Sequence, residues 1–206
     1  DSQEIYRDGC RRGREMTLEV KKLKKFFDAK EVLCGVDLEL TDGIYLLTGA
    51  SGCGKTTLLR ILGGLETADS GNFTKLTVSF MFQENRLFPW LNITENITEA
   101  ANCSRETALA LLDSLGLGGN EKKYPHELSG GMQRRVSLAR TLAREAQLYL
   151  FDEPLAGLDP ESQKTACNVI KNSIPTTSAA IIVSHETAEP QKIAKQIIRL
   201  DKGKIV

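Results

Sequence analysis

The feature that most limits what this chain can become is the run Gly49 to Thr57, GASGCGKTT, directly after the apolar residues Ile44, Tyr45, Leu46 and Leu47. It fits the pattern G-x-x-x-x-G-K-[ST], with Gly49, Gly54, Lys55 and Thr56 at the fixed positions. Consecutive backbone N–H groups must curl around a polyphosphate, and glycine permits both the curl and the close approach. Leu58, Leu59, Ile61 and Leu62 continue at helical spacing, so the positive end of a helix faces the phosphates. The Lys55 ammonium then reaches the outer phosphates, and the Thr56 hydroxyl is placed to ligate Mg²⁺. A plain glycine-rich turn is the ordinary alternative, and the strand before and helix after disfavour it. A nucleoside triphosphate is the expected ligand; the loop alone does not say what the binding serves.

At 206 residues the chain is one domain, or one domain with a subdomain, long enough to bury a real core. Lys+Arg and Asp+Glu both number 27, so no overall basic field points to nucleic acid. The first 30 residues are locally basic (Arg7, Arg11, Arg12, Arg14, Lys21, Lys22, Lys24, Lys25, Lys30), which reads as a solvated face or a guarded edge strand. The cysteines are odd in number and widely spaced, without a C-x-x-C pair, which suits reduced thiols and not a disulfide frame or a zinc site. No apolar run approaches the roughly 18 residues of a membrane span. The sequons at Asn92, Asn96 and Asn102 read as chance.

Residues 1–16 are expected to form a loose leader, with Met16 a candidate start. Alternation in Leu18, Val20 and Leu23, then in Val32, Val36, Leu38 and Leu40, predicts two antiparallel strands, and Asp42-Gly43 a turn. Asp69-Ser70-Gly71 reads as a break, Val78 to Phe82 as a short strand, and the periodicity as helical from Glu84. Helices are expected from near Ser104 to Gly116 and from about Ser129 to Arg144. Leu148 to Phe151, a helix from Pro160, Ala179 to Val183, a helix from Glu186, and Ile197 to Leu200 complete the alternation. The fold class is therefore α/β: a P-loop core with a parallel sheet wrapped by helices, an N-terminal antiparallel β-subdomain and an inserted α-helical subdomain. We expect one domain over 17–206, its core at 17–83 and 147–206 and its helical subdomain at about 84–146.

Leu148 to Asp152 and then Glu153 place two carboxylates at the carboxyl end of a buried strand, the edge where α/β sheets bind ligands. Asp152 is placed to hold Mg²⁺, and Glu153 to polarise an attacking water. Leu128-Ser129-Gly130-Gly131-Met132 opens a helix with a good N-cap and free first-turn N–H groups, a second anion site, although alone it would read as an ordinary capped helix. Gln83 and His185 each follow a strand, and Asp159 closes Leu155-Ala156-Gly157-Leu158-Asp159.

This set, in this order, resembles the ATP-binding cassette (ABC) ATPases over about residues 17–206. The resemblance implies a Walker A loop at Gly49, Ala50, Ser51, Gly52, Cys53, Gly54, Lys55, Thr56 and Thr57, and a Q-loop glutamine at Gln83. It implies a signature motif at Leu128 to Met132, a Walker B aspartate at Asp152, a catalytic glutamate at Glu153, a D-loop aspartate at Asp159 and a switch histidine at His185. Thr56, Gln83 and Asp152 would hold Mg²⁺, and Phe27, or Phe26, would stack on adenine unless it packs in the core. Two such subunits would close head to tail on two ATPs, so Ser129, Gly130, Gly131 and Asp159 would serve the partner's nucleotide in trans, and Glu153, His185 and Gln83 would carry hydrolysis.

Met132 replaces the commonest glutamine of the signature, which leaves the backbone N–H groups intact. The stretch between Gly71 and Gln83 is shorter than the family's usual hairpin, so a trimmed β-subdomain is expected. Arg86 to Leu91 and Thr94-Glu95-Asn96-Ile97 resemble nitrate, sulfonate and taurine type importers. There Phe88 and Trp90 either dock a transmembrane subunit or pack in the helical insert. The implied role is ATP-driven solute transport, import being favoured, at the cytoplasmic face of the cell membrane. The implied partners are permease subunits, a second ATPase subunit and a substrate-binding protein. The alternative is a soluble ABC-type ATPase of DNA repair, translation or cofactor assembly.

Overall fold

The computed structural model describes residues 16–185 and 188–206. The leader expected over 1–16 lies outside the described residues except for Met16, and so does the helix start expected at Glu186. The chain begins with β1 (Leu18–Phe27), β2 (Lys30–Leu40) and β3 (Gly43–Thr48), followed by α1 (Lys55–Leu62), β4 (Ser70–Phe73) and β5 (Val78–Met81). Three helices come next, α2 (Ile93–Ala101), α3 (Arg105–Ser114) and α4 (Gly130–Leu142), the last after a 3₁₀ turn at Pro125–Glu127. Then β6 (Leu148–Asp152), α5 (Pro160–Ser173), β7 (Ala179–Val183), α6 (Ala188–Ile193), β8 (Gln196–Asp201) and β9 (Lys204–Ile205) complete it.

Six strands form the main sheet in the order β5-β6-β7-β3-β8-β9. The first five are parallel, and β9 folds back antiparallel on β8. Side chains on a strand alternate between faces, and both faces here are apolar, as a parallel sheet covered on two sides requires. Ile44, Leu46, Tyr149, Phe151, Ala180 and Ile182 enter the core shared with α2 to α5. Tyr45, Leu47, Leu148, Leu150, Ile181 and Val183 enter the core shared with α1 and the smaller sheet. A Val, Leu, Ile or Phe side chain taken fully out of water contributes about 1.5–3 kcal/mol, so the two interleaved cores fix the register of the sheet.

The smaller sheet is antiparallel, in the order β2-β1-β4. Here the expected break at Asp69-Ser70-Gly71 is corrected, because Ser70 pairs with Lys24 and Phe73 with Val20. β1 bulges around Lys22, which has φ +49°, and Gly71 (φ +87°) passes so close that a Cβ would lie 2.5 Å from the Lys22 carbonyl oxygen. Glycine therefore does not end the strand; it lets β4 pass the bulge. The short stretch before Gln83 holds only the end of β4 and β5, with no hairpin.

Helix does not begin at Glu84. Residues 84–92 form a loop, and α2 starts at Ile93, where Asn92 and Glu95 form a reciprocal capping box. Pro89 disfavours helical geometry at Phe88, and Arg86 has φ +45°, so the apolar spacing there belongs to an ordered loop. The fully buried Asn96 accepts from the Phe88 N–H (2.7 Å) and donates to the carbonyls of Phe88, Leu91 and Asn92 (2.9–3.1 Å). That burial excludes it as a glycan site.

Candidate nucleotide site

Strand order explains why distant residues meet. After β3 the chain crosses over α1 to the far edge strand β5, then fills the gap with β6 and β7, so the carboxyl ends of β3, β5, β6 and β7 open on one cleft. Such an edge, where strand order switches, is where α/β sheets take ligands. The cleft, about 210 Å³, is lined by Ser51, Gly52, Gly54, Lys55, Thr56, Thr57, Gln83, Asp152, Glu153 and His185, together with Val32 and Val183.

The loop between β3 and α1 is held from behind. Gly49 (φ +150°) lies against β8 so tightly that a Cβ would meet the Leu200 carbonyl oxygen at 2.1 Å, and Gly54, the N-cap of α1, is left-handed. No side chain caps α1, so its first N–H groups remain open to an anion. The Lys55 ammonium folds back to the carbonyls of Gly49 (2.7 Å) and Ala50 (3.0 Å), stretched across the mouth of the loop. Cys53 is buried beneath it, near Gly49.

Thr56 Oγ1 donates to Asp152 Oδ1 at 3.3 Å. Burial holds the Asp152 carboxyl above its usual range, although the Thr56 bond and the charges of Arg134, Arg60 and Lys55 pull it down. Among the described residues no three His, Cys, Asp or Glu side chains gather into a metal cage. A hydroxyl beside a carboxylate, with Gln83 on the same cleft, is instead the sparse oxygen set that suits Mg²⁺ completed by phosphate and water.

Glu153 is buried with φ +54°, a left-handed backbone unusual for a residue with a long side chain. Its N–H extends the ladder to the Val183 carbonyl, and its carboxylate accepts from the His185 N–H (3.1 Å) with His185 Nε2 at 3.5 Å. The His185 side chain is largely exposed at the rim. Strain at such a site is a mark of function, since the surrounding sheet must hold it.

Other expected residues lie elsewhere. Ser129 caps α4 through the Met132 N–H (3.3 Å), Gly130 faces open space, and Gly131 sits beside Gly157 and Leu158. Asp159 caps α5, accepting from the Ser162 N–H and hydroxyl, which hold its carboxyl below the usual range. None of these four lines the cleft. Phe26 and Phe27 end β1 about half exposed, which excludes the core reading; neither lines the cleft, and the Lys25 ammonium stands 5.1 Å over the Phe27 ring. Phe88 and Trp90 are also exposed, Trp90 at 70%, with rings 5.6 Å apart.

Reasoning from sequence missed Arg134. Buried in α4, its guanidinium donates to the carbonyls of Phe82 (3.1 Å), Gln83 (2.6 Å), Asp152 (3.1 Å) and Glu153, and to Asn85 Oδ1 (3.3 Å). The available signal was an arginine between Met132 and Val136, on the flank of an apolar helix face.

The sequence pattern of the ABC transporter family matches residues 33–156. The chain is 38% identical to the aliphatic sulfonates import ATP-binding protein SsuB 2 of Rhodococcus jostii, covering 96% of this chain and 84% of that one. It is 37% identical to the L-cystine transport system ATP-binding protein TcyN of Escherichia coli, over 92% and 88% of the two chains. The dimeric structure of MJ0796, a bacterial ABC transporter cassette, superposes with a TM-score of 0.81 at 25% identity, covering 91% of this chain and 96% of that one.

Proposed function

This chain belongs to the ABC transporter family, and from that premise we propose that it is the ATP-hydrolysing subunit that powers import of a solute. The observation that carries this reading is the convergence of Lys55, Thr56, Gln83, Asp152, Glu153 and His185 on one cleft at the carboxyl edge of the sheet. The names of its relatives, which concern import of sulfonates and transport of cystine, support the transport role.

The loop N–H groups and Lys55 bind the triphosphate, with Lys55 exchanging the Gly49 and Ala50 carbonyls for phosphate oxygens. Thr56, Asp152 and Gln83 would hold Mg²⁺, which when bound would neutralise phosphate charge. Glu153 accepts a proton from water, and His185 orients that carboxylate and contacts the terminal phosphate. Ser129, Gly130, Gly131 and Asp159, outside their own cleft, complete the cleft of a second ATPase subunit, and Phe27 lies on the adenine side. Among the described residues no helix is long and apolar enough to cross a membrane. On the strength of its family and its importer relatives, transmembrane permease subunits anchor the chain at the cytoplasmic face, a substrate-binding protein delivers the solute, and the exposed Phe88 and Trp90 offer an aromatic foothold.

The test is twofold. With Mg²⁺ and ATP the purified chain releases phosphate, whereas Glu153→Gln keeps ATP, turns over slowly and accumulates as a dimer. A wild-type rate in that variant overturns the base assignment. Tagged chain recovered gently from solubilised membranes carries a multi-span protein in near-equal amount. Recovery in the soluble fraction with soluble partners only removes the transport role and favours the soluble-ATPase alternative.

A further inference from the structure

We propose that Arg134 is a positioning residue that makes the Ser129 end of α4, the Gln83 segment and the Glu153 backbone move as one body. The inference rests on the catalytic reading of Gln83 and Glu153 above. Arg134 is 3% exposed, and its hydrogen bonds among the described residues go to backbone carbonyls and one side-chain amide. Its Nη1 gathers the carbonyls of Phe82 and Gln83 and the side chain of Asn85, and its Nη2 gathers the carbonyls of Asp152 and Glu153.

A planar guanidinium has fixed donor directions, so two chain segments that grip its two ends cannot shift apart without leaving a buried charge unsatisfied. The neighbouring polar side chains of α4 do other work. Gln133 bonds the carbonyls of Pro125 and Leu128, and Arg135 bonds that of Leu115. Arg140 adds a second tie, to the carbonyls of Asn85 and Arg86. α4 is a single 13-residue helix, and Arg134 lies little more than one turn from its Ser129 cap. A displacement of that cap by an anion of a second subunit therefore reaches Gln83 and Glu153 along the helix and one buried side chain, whose planar guanidinium ties the two segments to each other across Nη1–Cζ–Nη2.

The experiment compares hydrogen exchange, nucleotide affinity and turnover in Arg134→Met and Arg134→Gln against the unaltered chain. In nucleotide-free Arg134→Met, amides of 82–86 and 152–153 exchange several-fold faster, while those of 49–57 and ATP affinity stay within about twofold. Its kcat falls at least about 10-fold with KM within about threefold. Arg134→Gln, which keeps two N–H donors, recovers part of both losses. Unchanged exchange at 82–86 or an unchanged kcat overturns the proposal, as does faster exchange spread evenly over the chain, which marks a merely structural role. Should Arg134→Met not fold, the same comparison is read on Arg134→Gln, where an intermediate kcat with preserved ATP affinity supports the proposal and wild-type behaviour overturns it. Should the unaltered chain bind no nucleotide, the ATPase reading fails, while exchange in nucleotide-free protein still tests Arg134.

Discussion

Lys55 spans the mouth of its own loop, bonded to the carbonyls of Gly49 and Ala50. Those bonds are replaceable by phosphate, and a charged hydrogen bond contributes about 1.5–3 kcal/mol. Lys55→Ala should therefore weaken ATP binding by about 10–100-fold with little change in melting temperature, as calorimetric titration and a thermal melt would check. Cys167 behaves in the opposite way to a reactive thiol. Burial, reinforced by the nearby Glu189 carboxylate, pushes it up to about 12. Because its folded value is raised, the stability it contributes is fully present below the unfolded value of about 8.5 and is lost as pH rises toward 12. At pH 8 iodoacetamide should leave Cys167 untouched in the native chain and label it rapidly in urea, read by mass spectrometry; equal labelling would contradict its burial.

At the scale of elements, periodicity was a good guide where packing is regular. The helix starts expected near Ser104, at about Ser129 and at Pro160 match α3, α4 and α5, whose N-caps are Ser104, Ser129 and Asp159; a side-chain oxygen facing free N–H groups is a local device. The strands of the main sheet were legible for the same kind of reason, as short apolar runs between turns. Two segments were not. Ser70-Gly71 looked like punctuation, but its pairing depends on the bulge in β1, far away in sequence. Residues 84–92 looked helical, but their order comes from Asn96 gripping the Phe88–Asn92 backbone. Asn96→Ala would remove four hydrogen bonds that tie this backbone to a buried side chain, and at roughly 2 kcal/mol the melting temperature should fall by about 4–8 °C. Trp90 is the sole tryptophan, so its fluorescence anisotropy reports the loop directly and should drop in that variant. An unchanged anisotropy would show the loop to be held by other contacts.

For the molecule as a whole, the strand order that gathers Gln83, Asp152, Glu153 and His185 could be inferred only through the resemblance, since spacing along the chain does not specify which strand neighbours which. Arg134 escaped for a related reason: its partners are backbone carbonyls, and carbonyls carry no sequence signal. The cleft and the Ser129–Gly131 end of α4 lie apart in one chain, and if each completes the other across two copies, a lone chain is half an enzyme. Its specific activity at saturating ATP should then rise with protein concentration, approaching second order at high dilution, as a dilution series of phosphate release would measure. A rate strictly proportional to concentration would mean that one chain suffices. The outward-facing helix end thus turns a question of shape into one of effective molarity: on the proposed function, two copies side by side on one permease would meet at millimolar-scale local concentration, and assembly itself would become the throttle that keeps unattached subunits from wasting ATP.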